Sequence, residues 1–495
     1  MVVVAIAPAL LVVPLDGRPV RFGAPLPAAV LQQGLGLQGK GVLQWRPLPF
    51  GRPGTETVWV EIAISGPPGV VRVVPGGTGP SEDGRGPVFV REDREEALPH
   101  GRLQQTLWRF VDGSVDERRR LEFTSPTELE GELFATGEAL TTWSDGAFVR
   151  ADVLCRMPRT WFDEVGVLPP VGGGGAVTTA VRSHLGTLLP QLRELPGRRG
   201  AGDYARSGGI VTNNEYDTPF ALLRCALGMR DPLALARARR AAVHVLDRDF
   251  DANSGLVFTH GLDHRGGAVE PGHTWLRGVL WTGLLTADDG LLDGARSLAR
   301  GLANHPPVGT GRNERLRDYA SPLRELEALL ALSPDPVLAL AANRLAASIA
   351  RRFDASLRTY RFGEGEVGAG VYFERAWLTA GLLLPALREH LARRDDARLR
   401  EHVDLATQAL LDRLGRGGQG LPTHWRIAGQ QLFAEHREQQ TAAAAAVLEA
   451  FQPRDLQRLL RRGSVRGAIT GMPSPADPDL ATEFTLLARC DWVWR

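Results

Sequence analysis

From about Asn214 onward, apolar residues recur at the three- and four-residue spacing of a helix face. Leu235, Ala238, Ala242, Val245 and Leu246 form one set and Leu323, Leu326, Leu329 and Leu330 a second. Leu338, Ala341, Leu345 and Ile349 make a third, and Ala406, Leu410 and Leu414 a fourth. Two kinds of connection alternate between them. Short turns carry an aspartate or proline able to start the next helix: Arg230-Asp231-Pro232, Asp288-Asp289-Gly290, Pro334-Asp335-Pro336, Asp395-Asp396 and Pro453-Arg454-Asp455. Long loops lie near 249–272, 304–315, 354–370 and 415–436. Tight turns at one end and long loops at the other are what a ring of helical hairpins requires.

The front of the chain follows another rhythm. Val58–Ile64, Val70–Val74, Pro87–Arg91, Leu107–Val111, Leu121–Thr124 and Ala147–Leu154 are short β-branched and aromatic runs separated by Gly/Pro punctuation. Pro169–Gly175 (PPVGGGG) holds no regular structure and reads as a linker. We therefore expect an α+β multidomain chain. Residues 1–165 form an N-terminal β-barrel or sandwich, 166–212 a linker and lead-in segment, and 213–495 an (α/α) toroid.

Composition narrows the chemistry. The 495 residues carry 58 basic and 57 acidic groups, a balance that favours neither nucleic acid nor an anionic membrane as partner. Lys40 is the sole lysine, which all but excludes a lysine base or Schiff base. Cys155, Cys225 and Cys490 form neither a disulfide framework nor a zinc pattern. Met1–Val13 is apolar but lacks a positive leader and a small-residue cleavage site, so it reads as a buried strand and the expected location is cytoplasmic. Phosphate-loop, zinc-protease and serine-elbow motifs are all missing from the sequence.

Reactive side chains gather in the long loops. In Asn213-Asn214-Glu215-Tyr216-Asp217, either asparagine is a candidate helix cap, with Glu215 and Asp217 in the first turn. The same amides, phenol and carboxylates would equally bind sugar hydroxyls. Four of 11 histidines fall between His244 and His273. His244 reads as a core histidine. A divalent ion near His260, His264 and His273, with Asp263, is weakened by Gly261, Gly266 and Gly267, because a His-x3-His pair shares a face only in a helix. No cofactor is expected. Trp275 suits stacking on a sugar ring. Arg277, Arg317, Tyr319, Tyr372, Glu374 and Trp425 complete a candidate saccharide cleft, in which Arg317 is able to hold a uronate carboxylate.

Several stretches resemble the YetA-like proteins and exo-acting rhamnogalacturonan lyases. They are Pro19–Pro27 and Asp112-Gly113-Ser114 in front, then Gly202-Asp203-Tyr204, Asn213–Asp217, His244 with Asp247 and Asp249, His260 and Gly272-His273-Thr274-Trp275. After Ser114 the family continues into a Lys-Trp strand, whereas here Val115-Asp116-Glu117-Arg118 follows. The resemblance implies a RIFT-related barrel before an α/α toroid and a polysaccharide lyase cleaving a uronate-containing glycan. Elimination needs a carboxylate neutraliser, a base and an acid. Asn214, Arg277 and Arg317 are candidates for the first, His260 and His273 for the second, Tyr216 and Tyr319 for the third. A glycoside hydrolase using two carboxylates among Glu215, Asp217, Asp249, Glu270 and Glu374 is the alternative. A non-catalytic glycan-binding protein is the third reading.

Overall fold

A computed structural model describes strands within residues 11–150 and the longer stretches 176–194, 213–229, 231–261, 267–305, 315–362, 371–414 and 480–494, with short segments between them. Pro169–Gly175, Asp263 and the turn at 453–455 lie outside the described residues. The chain divides into two compact units. One is Met1–Pro170 with Ala226–Arg239 and Trp281–Asp293; the other is Val171–Cys225, Arg240–Leu280 and Gly294–Arg495.

The first unit carries β1 (Leu11–Leu15), β2 (Val20–Pro27), β3 (Leu35–Gln38), β4 (Val42–Gly51), β5 (Thr57–Ser65) and β6 (Gly69–Pro75). These pair antiparallel as β1–β6–β3 and β2–β5–β4. Next come β7 (Val88–Glu92), β8 (Glu96–Ala97), β9 (Leu103–Val111) and β10 (Ser114–Phe123), ordered β10–β9–β7 with β8 also on β9. The pairings among the described strands are open sheets. In β5, Trp59, Val60, Ile62 and Ile64 are all buried, so successive residues on both faces are covered and the strand is central. Its neighbours β2 and β4 contain Pro25, Pro27, Pro47 and Pro49. A proline has no amide hydrogen to give a ladder, and an edge strand is where that loss is tolerated. The run-based expectation missed β2 and β4 because of these prolines.

The second unit holds most of the helices: α1 (Ala176–Leu188), α2 (Thr218–Met229), α3 (Pro232–His244), α4 (Arg277–Thr286), α5 (Asp289–Asn304), α6 (Leu316–Leu330), α7 (Pro336–Ala350), α8 (Leu384–Arg393), α9 (Ala397–Leu414), α10 (Leu480–Arg489) and α11 (Asp491–Trp494). The unit boundary passes through α2 to α5. The periodic leucines are the buried ones. Leu323 and Leu326 of α6 are fully covered, Leu329 and Leu330 nearly so, and each such side chain contributes roughly 1.5–3 kcal/mol of burial. Helix α6 packs on α7 and α8, and α8 on α9. The last helices return to the first: α10 and α11 pack on α1, and Arg182 Nε donates to the Val493 carbonyl at 2.6 Å. Among the described residues, no helix is long and apolar enough to cross a membrane.

The short turns work as their composition implies. Asp231, Asp288, Asp335 and Asp396 each accept a backbone N–H from the first turn of the following helix, at 3.3, 3.2, 2.8 and 2.9 Å. At the second of these turns the cap is Asp288 and Asp289 is the first helical residue. The long loops after α3 and α7 hold a repeated device that the hydrophobic pattern did not show. Phe250–Asp251 pairs with Leu256–Val257, and Phe353–Asp354 with Thr359–Tyr360. In each miniature hairpin the aspartate side chain accepts from the turn it opens, Asp251 from Ser254 and Asp354 from Ser356. Asp335→Ala is expected to cost about 1 kcal/mol, seen as a lower urea midpoint at unchanged slope.

Candidate active site

The site is built around a turn with an unusual backbone. Asn213, Asn214, Tyr216 and Asp217 have φ of 51, 52, 63 and 70°, all left-handed. Asn and Asp tolerate this region because their short polar side chains bond locally; a tyrosine there stores strain of about 1–3 kcal/mol. Tyr216 is held by its rings of neighbours, 5.9 Å from Trp275 and 5.5 Å from Trp377 between centroids. The expectation that Asn213 or Asn214 caps a helix containing Glu215 and Asp217 is corrected here. Left-handed residues cannot enter a right-handed helix, so α2 starts at Thr218 and Asp217 is its cap, accepting from Phe220 N at 3.2 Å. Asp217 also accepts from Gly278 N, at 3.0 Å, in the first turn of α4. Glu325 of α6 accepts from Leu276 N and Arg277 N at 3.0 and 2.7 Å. Two buried carboxylates thus meet the amides that open two helices.

The asparagines turn inward. Asn213 Nδ2 donates to the carbonyls of Phe258, Thr259 and His264 at 2.8, 3.1 and 3.1 Å. Asn214 Nδ2 donates to Gly202 O at 3.0 Å. Both organise backbone, and both are almost fully buried. Glu215, between them and Tyr216, points the other way, into a cluster with His260, His273 and Arg317.

In that cluster the two imidazole Nε2 atoms are 3.1 Å apart. Glu215 Oε2 is 3.5 Å from His260 and Oε1 is 3.4 Å from His273. Arg317 donates to Glu215 Oε1 at 2.7 Å. Behind His273, Nδ1 lies 2.9 Å from Glu270, which Arg315 contacts at 2.7 Å. His273 is almost wholly buried, whereas the His260 side chain is 34% exposed. His260 is therefore the open member of the pair. Burial holds it below the ordinary histidine value, against the pull of Glu215. Burial works to raise Glu215, yet His273, His260 and Arg317 together bring it below the usual carboxylate range. Contact with His273 is the main cause that takes Glu270 down to about 2, with Arg315 assisting against burial. Both carboxylates are ionised at neutral pH.

His264 does not join His260. Its Nδ1 faces His244 Nε2 at 3.2 Å and Asp249 Oδ1 at 2.9 Å, and Asp203 lies in the same buried group. Two sets of donor atoms thus sit within 4.8 Å of one another, Glu215–His260–His273 and Asp203–His244–His264. In the first, the Arg317 guanidinium already balances the carboxylate.

The remaining candidates divide. Trp275 is buried, with the Arg489 guanidinium 4.7 Å above its ring, and lines a small cleft with Tyr216, Arg324 and Trp377. Arg277 grips Glu389 with both terminal nitrogens, at 3.2 and 2.6 Å. Tyr319 lies two residues from Arg317, on the far side of α6; its buried hydroxyl accepts from Arg352 at 2.9 Å. Tyr372 and Glu374 fall in the strand Val371–Arg375 and Trp425 in His424–Ala428, but their side chains lie outside the described residues. Glu325, Glu389 and Arg489 were not anticipated, because each sits on a regular helix and its partners are distant in sequence.

No protein-family model matches the chain, and no curated protein does. Solved structures with similar backbones exist. Cellobiose 2-epimerase from Bacillus thermoamylovorans B4167 is 12% identical at a TM-score of 0.44, covering 63% of this chain and 98% of its own. A polysaccharide lyase is 14% identical at 0.43, covering 64% and 95%. A glycosyl hydrolase of family 88 from Bacteroides vulgatus is 10% identical at 0.43, covering 64% and 97%. Each is a partial likeness of backbone.

Two measurements test the geometry. A Cβ at Gly278 would collide with Asp217 Oδ1 and press on Phe220 N, so Gly278→Ala is expected to destabilise by roughly 1–3 kcal/mol in urea unfolding. Burial, then the charge of Glu325, pushes Asp217 up to about 7 from 3.8. With the folded value above the unfolded one, this carboxyl favours folding most below pH 3.8 and loses that contribution progressively as pH rises to about 7. Asp217→Asn is expected to flatten thermal stability against pH across that window.

Proposed function

We propose that the chain is a carbohydrate-active enzyme, a polysaccharide lyase that cleaves a uronate-containing glycan by β-elimination with His260 as base. The observation that carries this reading is the His260–His273 pair, Nε2 to Nε2 at 3.1 Å, with His260 partly exposed and Glu215 beside both. An imidazole held below its ordinary pKa is neutral at pH 7 and ready to accept a proton. The imidazolium that results is stabilised by ionised Glu215. His273, buried and backed by Glu270, acts through His260 as a positioning residue.

In the elimination, His260 takes the proton from C5 of the uronate, the C4–C5 double bond forms, and the C4–oxygen bond breaks. Arg317 is the neutraliser of the uronate carboxylate. Its guanidinium presents a fork of five donors, one of them on Glu215. Tyr216, next after Glu215 in the chain, is assigned the part of the acid that meets the departing oxygen. Asn214 and Arg277 support the backbone and a buried ion pair instead.

A hydrolase needs a carboxyl held protonated in reach of substrate. Among the described carboxylates, Glu215 and Glu270 are held ionised, and Asp217, although raised, is fully enclosed on the backbone amides of α2 and α4. That distribution favours elimination. His260→Ala is expected to lower kcat by about 10²–10⁴-fold on uronate oligosaccharides, measured as ultraviolet absorbance of the unsaturated product. Full turnover by this variant, or sugar release without the absorbance, would refute the proposal. The acid limb of kcat/KM is expected below about pH 6.5, the ordinary histidine value.

A further inference from the structure

His244, Asp249 and His264 form a second centre, and its geometry differs in kind from that of the His260 pair. Three single atoms converge: His244 Nε2, His264 Nδ1 and Asp249 Oδ1, separated by 3.2, 2.9 and 3.5 Å. A triangle of these edges has a point about 1.9 Å from every corner, and a small step out of its plane reaches the roughly 2.0–2.1 Å of zinc–nitrogen and zinc–oxygen bonds. Asp203 adds a carboxylate oxygen within 4.8 Å of the histidine ligand atoms. Asp203, His244, Asp249 and His264 are 0, 3, 0 and 8% exposed.

Charge points the same way. Asp249 is fully buried, its described side-chain contacts are the two imidazoles, and its Oδ2 has no hydrogen-bond partner. A carboxylate taken fully out of water is costly, and a divalent cation at its oxygens offsets that cost. The backbone is also shaped for this meeting. Helix α3 runs into a π-helical turn, Val245–Asp249. Its i→i+5 pattern puts residues five apart on one face, which brings Asp249 beneath His244; an α-turn would carry it away.

We propose that Asp203, His244, Asp249 and His264 bind one first-row divalent cation of the Zn²⁺ class in a closed, structural site. The ion fastens His264 to the end of α3. This does not depend on the reaction assigned to His260.

The test uses the full chain, stripped with a chelator and titrated with Zn²⁺ or Co²⁺. One equivalent per chain is expected, with visible Co²⁺ bands and a higher thermal midpoint on Zn²⁺ addition. Asp249→Ala and His264→Ala are expected to lose the ion, and His260→Ala and His273→Ala to keep it. Two results would overturn the proposal. One is wild-type protein that takes up no stoichiometric ion and keeps its midpoint, a result independent of whether any variant folds. The other is uptake lost in His273→Ala but retained in Asp249→Ala, which places the ion at the other centre.

Discussion

One carboxylate serves two helix starts. Asp217 caps α2 through Phe220 N and receives Gly278 N from the first turn of α4, while Glu325 of α6 takes the two amides just before it. Unmet amide donors at buried helix ends are expensive, and here the remedy for one helix comes from another. The meeting of three helices therefore fixes where the 213–217 turn lies. Everything at the site hangs from that turn, because the residues before and after Glu215 are both engaged in holding backbone.

Asn213 extends the constraint across the loop. By reaching the carbonyls of Phe258, Thr259 and His264 with one amide nitrogen, it sets the distance between the strand that leads to His260 and the residue that pairs with His244. The two histidine centres thus share a support while having separate electrostatics. One is balanced by an arginine and partly open; the other is closed and carboxylate-rich. An open imidazole suits proton transfer, and an enclosed one suits permanent coordination.

Much of this was legible in the sequence, and the limits have physical causes. Helix faces and capping aspartates are local signals, so Leu323, Leu326, Asp231, Asp335 and Asp396 do what spacing and residue type imply. Edge strands with prolines hide from propensity, since Pro47 reads as a breaker until its strand is known to lie beside β5. The left-handed turn was invisible for a different reason: an Asn-Asn-Glu-Tyr-Asp string is an equally good helix start, and only tertiary packing around Tyr216 decides against it. The histidines were noticed, but their partnership depends on contacts 13 and 20 residues apart in the chain. Composition gathers such residues without sorting them into pairs.

The π-turn at Val245–Asp249 amounts to one residue more than an α-helix needs over the same length. The arrangement of His244 and Asp249 is therefore encoded by chain length as well as by side-chain identity. Straightening the π-turn into an α-helix of the same length would leave both chemical groups in the protein yet swing them to different sides, whereas deleting one residue between them would set them four apart, the spacing that an ordinary α-helix keeps on one face. For this stretch of chain, the reading frame of the helix matters as much as its letters.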